Sequence, residues 1–139
     1  MRNATEYAYN IIMATEIIGL SHVEREIVAN IVRYHLKFFQ YNDIKIEAKP
    51  SRISRLATPD NLTLIVAKLT AILRLANSMD RSHKNKLAGC RITVKNNKLV
   101  ISTDYVGDVT LETLSIEEKA DFFEEIFGIR PVLKQKKKI

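Results

Sequence analysis

The clearest periodic pattern along the chain lies between residues 59 and 79, where apolar residues recur at steps of three and four. This spacing is that of one face of an α-helix, so we predict a long helix with one side buried. Pro59 suits its first turn, because the missing amide hydrogen of proline costs little there. The predicted buried stripe comprises Leu62, Ile65, Val66, Leu69, Ile72, Leu73 and Ala76.

Two shorter helices are predicted before this one. The first runs from Asn3, a good N-cap, to Ile18, and Gly19 ends it. The second opens with a capping box in which Ser21 pairs with Glu24. The short turn between the helices predicts an antiparallel hairpin. The side chains expected to face inward are Ala8, Ile11, Ile12 and Ile18 on the first helix and Val23, Ile27, Val28, Ile31 and Val32 on the second.

Residues 38–57 interrupt the helical pattern. Lys49-Pro50-Ser51 marks a loop, and Arg52 and Arg55 fit a single short helical turn. The predicted structure of this segment is therefore limited to the loop and this one turn.

From residue 88 onward the pattern alternates with a period of two, as in a strand. The pair Asn96-Asn97 tolerates positive φ and therefore predicts a tight hairpin. A second capping box at Ser115 predicts the start of a helix that ends at Gly128, and residues 129–133 can add a third strand. The alternating strand positions are Ile92, Val94, Leu99 and Ile101, and the helix carries Ala120, Phe123, Ile126 and Phe127.

These elements predict an α+β fold, made of a mainly helical domain over residues 1–87 and a small strand-strand-helix-strand unit over residues 88–139. A chain of 139 residues with 46% apolar content can bury one core and a small appended unit. No apolar run approaches the length of a membrane span, and no signal peptide opens the chain, so we expect a cytoplasmic protein without membrane contact. The single cysteine, Cys90, excludes an internal disulfide.

The net charge of +6 indicates an anionic partner. Four lysines of the final segment carry much of this charge, and about +2 is left without them. These four, which we expect to form a solvated tail, are Lys134, Lys136, Lys137 and Lys138. The charge therefore favours a local anion site over a generally basic surface.

A local cluster of cations follows the long helix, where Asp80 is the only acid between Arg74 and Arg91. Arginine offers a planar fork and lysine a mobile point charge, a mixture that suits a repeating polyphosphate. Arg33 could equally form a structural salt bridge, and His35 could be a packed histidine. The candidate anion-binding residues are Arg33, His35, Lys37, Arg74, Arg81, His83, Lys84 and Lys86.

Four segments, in this order, resemble the C-terminal region of exopolyphosphatase and guanosine pentaphosphate phosphohydrolase (Ppx/GppA) proteins. They are Glu16-Ile-Ile-Gly-Leu-Ser21, Glu26–His35, Ala71–Lys86 and Phe122-Phe-Glu-Glu-Ile-Phe-Gly128. The resemblance extends over nearly the whole chain. It implies that the helical part is an HD-like domain, that a small α+β tail follows, and that an actin-like, two-lobed catalytic region precedes both in the family.

A divalent-metal site of the HD type needs a histidine, an adjacent His-Asp pair and a later aspartate. The chain has no His-Asp dipeptide, and the resemblance places Asn77 where the last aspartate would stand. No glycine-rich phosphate loop or nucleophile elbow occurs. We therefore expect no catalytic residue, metal or cofactor in this chain, and we assign the magnesium that the resemblance implies to the family's catalytic region.

The leading hypothesis is an accessory domain of a Ppx/GppA-type exopolyphosphatase, which binds polyphosphate or another polyanion and aids homodimerisation. One alternative is a stand-alone nucleic-acid-binding module, which the pI near 9.5 favours. Against it, aromatic residues are not interleaved with the basic ones. A divalent-metal HD phosphohydrolase is the third hypothesis, and it would require ligands from outside this sequence.

Overall fold

A computed structural model describes residues 4–35, 44 and 59–136. The described elements follow one another as α1 (Ala4–Ala14), α2 (His22–Tyr34), α3 (Pro59–Met79), β1 (Arg91–Lys95), β2 (Lys98–Thr103), α4 (Thr110–Phe127) and β3 (Arg130–Gln135). The mainly helical α+β fold is thus confirmed. The chain divides into two compact units, Met1–Thr70 and Ala71–Ile139. The domain boundary expected at residue 87 stays a prediction.

The first unit contains an antiparallel pair of helices, α1 and α2. Near the start of α2, Arg25 donates a hydrogen bond to the carbonyl oxygen of Thr15, just beyond the end of α1 (2.9 Å). Near the end of α2, Arg33 forms an ion pair with Glu6 in the first turn of α1 (3.2 Å). These two arginines join opposite ends of the helices, which confirms the predicted hairpin. The capping box of Ser21 and Glu24 is also present.

The inward faces of the hairpin differ from those expected. α1 ends at Ala14 rather than Ile18, Ile18 is fully exposed, and no residue of α1 is buried. On α2 the buried residues are Glu26, Ala29, Asn30 and Tyr34, whereas the predicted stripe is half-buried and Val28 is exposed. The buried side of α2 therefore lies beside the predicted apolar stripe, because tertiary packing and not periodicity alone selects the buried side.

The long helix α3 begins at Pro59, as predicted, but its buried face is only partly the predicted one. Leu62 and Val66 are buried. Ile65, Leu69 and Ile72 are exposed to 40%, 43% and 50%. The reason is that α3 is apolar on more than one side, so its periodicity cannot identify the side that faces the core. The exposed side, which we call the α3 apolar face, comprises Ile65, Leu69 and Ile72.

Within α3, the window Asn61–Met79 is long and apolar enough to cross a membrane by length and composition. The core helix of a soluble protein passes the same test, and 44% of this window is buried. The window is therefore weak evidence for a membrane segment.

The second unit contains a three-stranded sheet in the order β1-β2-β3, with β1 antiparallel and β3 parallel to β2. Asn96 and Asn97 have φ values of 53° and 59°. Both values lie in the left-handed region, which a two-residue type I′ hairpin turn requires at its two central residues. The predicted hairpin is therefore confirmed. β3 extends to Gln135, which places Lys134 in a strand rather than in the expected tail.

Helix α4 begins earlier than its sequence suggests. It starts at Thr110, so the Ser115 capping box is not a helix start, and Ser115 lies buried within the helix. There its hydroxyl donates to the Ser78 hydroxyl of α3 (2.9 Å). At the actual helix start, the Asp108 carboxylate accepts a hydrogen bond from the backbone N–H of Thr110 (2.9 Å). Hydrogen bonds from Thr110 lower the pKa of Asp108. Gly128 ends α4 with φ at 73°, as predicted.

The core of the second unit joins the C-terminal half of α3, the sheet and α4. Ile101 and Ile116 are almost completely buried, and Phe123 packs against Phe127 with ring centroids 4.6 Å apart. Burying each of these large apolar side chains contributes about 1.5 to 3 kcal/mol relative to exposure. The buried members of this core are Ala71, Leu75, Leu87, Ile101, Val109, Ile116 and Phe123.

The predictions for the loop at residues 49–51, for the helical turn holding Arg52 and Arg55, and for the end of the lysine tail lie outside the described residues.

Candidate anion-binding site

The loop that follows α3 is organised by Asp80. The carboxylate of Asp80 accepts a hydrogen bond from the backbone N–H of Asn85 (2.9 Å), and the Asp80 carbonyl accepts one from His83 (3.0 Å). His83 and Asn85 both have positive φ, 57° and 54°. Such backbone is uncommon outside glycine, although asparagine and histidine adopt it more readily than most residues. We call residues 80–85 the Asp80 loop.

Three cationic or titratable side chains project from the Asp80 loop. Arg81, His83 and Lys84 are all exposed. None of the ion pairs formed within residues 4–35, 44 and 59–136 includes them. A guanidinium and an ammonium group therefore stand close together in sequence on a loop of defined shape. This arrangement can donate hydrogen bonds to phosphate oxygens without first breaking an internal salt bridge.

The loop is tied to α4 through a buried carboxylate. Glu112 is completely buried, and its Oε1 atom accepts a hydrogen bond from the Ser82 hydroxyl (2.9 Å). The same oxygen lies 3.5 Å from Nζ of Lys86, a side chain that is only 12% exposed. Lys86 also donates to the carbonyl oxygen of Asp108 (2.6 Å). Lys86 is thus the counter-charge of a buried acid and not an exposed cation like Arg81 and Lys84.

Arg74 is also engaged inside the protein. Its side chain is 6% exposed, and its guanidinium lies 5.5 Å from the ring centroid of Phe122. Burial lowers the pKa of Arg74, and the charge of Glu118 partly opposes that shift. The carbonyl oxygen of Arg74 accepts a hydrogen bond from Ser78 (3.1 Å). These contacts indicate that Arg74 supports the packing of α3.

The candidate residues on α2 belong to the first unit. Arg33 pairs with Glu6 and stacks on Tyr9, with its guanidinium carbon 3.4 Å from the ring centroid. The Nδ1 atom of His35 hydrogen-bonds the Val32 carbonyl oxygen (2.6 Å). Lys37 lies outside the described residues. The structural alternatives weighed for Arg33 and His35 therefore match the contacts that these side chains make.

Among the described candidates, the Asp80 loop brings together Arg81, His83 and Lys84. Sequence reasoning missed Ser82 and Glu112, which hold the loop on α4. No local signal could have identified this link, because Glu112 lies 30 residues beyond Ser82. No group of three or more histidine, cysteine, aspartate or glutamate side chains able to hold a metal occurs in the part of the chain that the structure describes. The loop therefore offers exposed cationic donors, the groups that recognise anions in proteins.

Replacing Lys86 by methionine tests its structural role. The change leaves the buried Glu112 carboxylate without its counter-charge, and breaking a buried pair in this way costs about 3 to 5 kcal/mol. We expect a correspondingly lower free energy of unfolding in urea.

The matched control is the double variant Lys86→Met with Glu112→Gln, which also removes the buried charge. We expect it to recover part of the lost stability, because the two side chains are energetically coupled. A Lys86→Met variant of unchanged stability that had lost anion binding would contradict this assignment.

The family model described as Ppx/GppA phosphatase, domain III, matches residues 2–120. The match includes both helices of the hairpin, α3, the Asp80 loop and the first part of α4. No curated protein matched the chain in a sequence search.

Proposed function

Because the chain belongs to the Ppx/GppA phosphatase family, we propose that it acts as an accessory domain of an exopolyphosphatase, a phosphoanhydride hydrolase, and binds polyphosphate through the Asp80 loop. The observation that carries this proposal is the exposure of Arg81, His83 and Lys84 without internal ion pairs among the described residues. Other polyanions share the same chemistry. Polyphosphate is the one that the family membership favours.

Domain III accompanies an N-terminal catalytic region in full proteins of this family. We propose that this region is the main partner of the chain and that it carries the catalytic residues and the divalent metal. The chain itself then contributes to substrate binding, in the cytoplasm. Its exposed cations can hold a long anion by several weak contacts, because each exposed charge alone is worth little in water.

Replacing Arg81 and Lys84 together by alanine tests the proposed contact. Charge-assisted hydrogen bonds contribute about 1.5 to 3 kcal/mol each, and solvent exposure reduces this value. We expect at least about tenfold weaker binding of long-chain polyphosphate at low salt, measured by calorimetry, since 1.4 kcal/mol corresponds to a factor of ten. The difference should shrink as salt rises, because exposed charges are screened.

The control for this experiment is Lys137→Ala with Lys138→Ala, which removes the same number of charges from the end of the chain. Affinity should fall less than in the loop variant. If the end lysines proved essential and the loop pair did not, the Asp80 loop would not be the binding site. Both variants should have the melting temperature of the unmodified chain, which shows that a loss of affinity does not result from unfolding.

We further propose that the α3 apolar face contributes to homodimer formation. Its large apolar side chains are exposed at three or four residue steps, and such a face on a helix is the kind that a partner covers. An obligate interface buries apolar surface in this way and is more hydrophobic than the rest of the protein surface.

Replacing Ile65 and Leu69 by lysine should therefore increase the monomer fraction, because both charged side chains would have to be buried on association. Light scattering coupled to size-exclusion chromatography measures this fraction directly. Leu114→Lys on α4 is the control, since Leu114 is also exposed (58%) but lies outside the face. An unchanged mass for the double variant would show that α3 is not the interface.

A further inference from the structure

The outer face of the three-stranded sheet is basic. Residues paired across neighbouring strands lie side by side on the same face, so the strand register defines rows of side chains. The opposite face carries Leu99, Ile101 and Leu133 and packs on the core. The three outer rows are Arg91, Ser102 and Lys134; Thr93, Val100 and Val132; and Lys95, Lys98 and Arg130. Basic residues occupy the two end rows, and no acidic residue occurs in any row.

The two ends of this face differ in how their charges are used. Arg130 forms ion pairs with Asp121 (2.8 Å) and Glu124 (3.4 Å) of α4, and hydrogen bonds to these carboxylates raise the pKa of Arg130. Arg91 and Lys134, at the other end, occur in none of the ion pairs found within the described residues. Among the described residues, no ion pair compensates either cation in the row of Arg91, Ser102 and Lys134, whereas two carboxylates of α4 neutralise Arg130 beside Lys95 and Lys98 in the other basic row.

A pocket of about 410 Å³ lies at this row. Arg91, Ser102 and Lys134 contribute to its wall, together with Thr93 and Lys136. We call it the sheet pocket. Its wall contains three cationic side chains and one carboxylate, that of Asp104, and hydroxyl groups lie between them.

The rim of the sheet pocket is held by hydrogen bonds. The Gln135 side chain donates to the carbonyl oxygens of Tyr105 (2.7 Å) and Gly107 (2.6 Å), which fixes the segment that follows β2. The backbone N–H of Lys136 donates to the Thr103 carbonyl oxygen (3.0 Å) and continues the pairing with β2. Lys136 is therefore held beside the pocket by its backbone, although its side chain is exposed.

The spacing of the strands suits a small oxyanion. Neighbouring strands lie about 4.8 Å apart, so the Cα atoms of Arg91 and Lys134 are roughly 10 Å apart, with Ser102 between them. Long cationic side chains at that separation can converge on one tetrahedral anion above the serine hydroxyl. The arginine supplies two parallel donors and the lysine a point charge.

We propose that the sheet pocket binds a phosphoryl group of an inorganic oligophosphate. The choice of ligand rests on the proposed function, whereas the residues are separate from those of the Asp80 loop. The sheet face favours an inorganic chain over single-stranded nucleic acid, because none of its nine row positions is aromatic and base stacking is a main source of affinity for single strands. Three of the residues that line the sheet pocket, Lys134, Gln135 and Lys136, follow the matched residues, and the other lining residues lie within the match.

Calorimetry of the 139-residue chain with inorganic tripolyphosphate at low salt tests the proposal. Replacing Arg91 and Lys134 by alanine should weaken binding at least about tenfold, because both charge-assisted contacts are lost. Asp104→Asn should strengthen it, since the only carboxylate of the pocket wall is removed. The melting temperature of each variant shows whether the fold is retained.

Lys95→Ala with Lys98→Ala is the matched control, because it removes two charges from the same face at the hairpin end of the sheet. In a parallel titration at about 0.15 M salt, its affinity for tripolyphosphate should stay within about twofold of the unmodified chain, since exposed charges more than about 8 Å apart are largely screened at that ionic strength. Equal losses in the two double variants would indicate diffuse attraction to net charge and would overturn the pocket. A retained affinity in the Arg91 and Lys134 variant would do the same.

Two further titrations identify the class of ligand and distinguish the sheet pocket from the Asp80 loop. If a short single-stranded RNA bound more tightly than tripolyphosphate and lost binding in the same variant, the ligand class would be wrong. With long-chain polyphosphate, an effect of the Arg81 and Lys84 variant alone would overturn the sheet pocket and keep the proposed function. An effect of the Arg91 and Lys134 variant alone would remove the Asp80 loop from the proposed function and keep the sheet pocket.

Discussion

The buried carboxylate of Glu112 holds the loop after α3 on α4. A carboxylate that is fully removed from water is costly unless its charge and its hydrogen bonds are compensated. Ser82 and Lys86 both approach the same oxygen of Glu112, and Lys86 extends further to the Asp108 carbonyl. The loop after α3 is therefore attached to α4 at two points. Its backbone can adopt an uncommon conformation because this attachment and the Asp80 carboxylate hold it there.

The contacts of the basic residues divide them into two kinds. Lys86, Arg74 and Arg33 stabilise the fold, since each lies against an acid or an aromatic ring. Arg81 and Lys84 are presented outward on the loop, and Arg91 and Lys134 on the sheet. If an anion binds there, hydrogen bonds that hold the backbone of the loop and of the sheet reduce the conformational entropy lost on binding. Net charge alone would not reveal this division.

Local signals predicted much of the fold. The capping box at Ser21, the Asn96-Asn97 turn and the glycine at 128 each act within a few residues, and the structure contains all three. The helix start predicted from the Ser115 capping box was wrong, because Ser115 instead hydrogen-bonds to Ser78, 37 residues away, at a buried contact. The prediction of the buried side of α3 was partly wrong for a related reason, because the sequence of an apolar helix does not specify which of its sides faces the core. Likewise, the distant partner of Lys86 could not be deduced from its basic neighbours in sequence.

The central claim is that outward, unpaired cations of the second unit bind phosphate groups, whereas internally paired cations do not. Amide chemical shifts of the isotope-labelled chain, followed during titration with inorganic tripolyphosphate, test this claim most directly. The account predicts the largest shift changes in residues 81–84 and around Arg91, Ser102 and Lys134. Largest changes around Arg33 and His35, or small changes spread evenly along the chain, would contradict it.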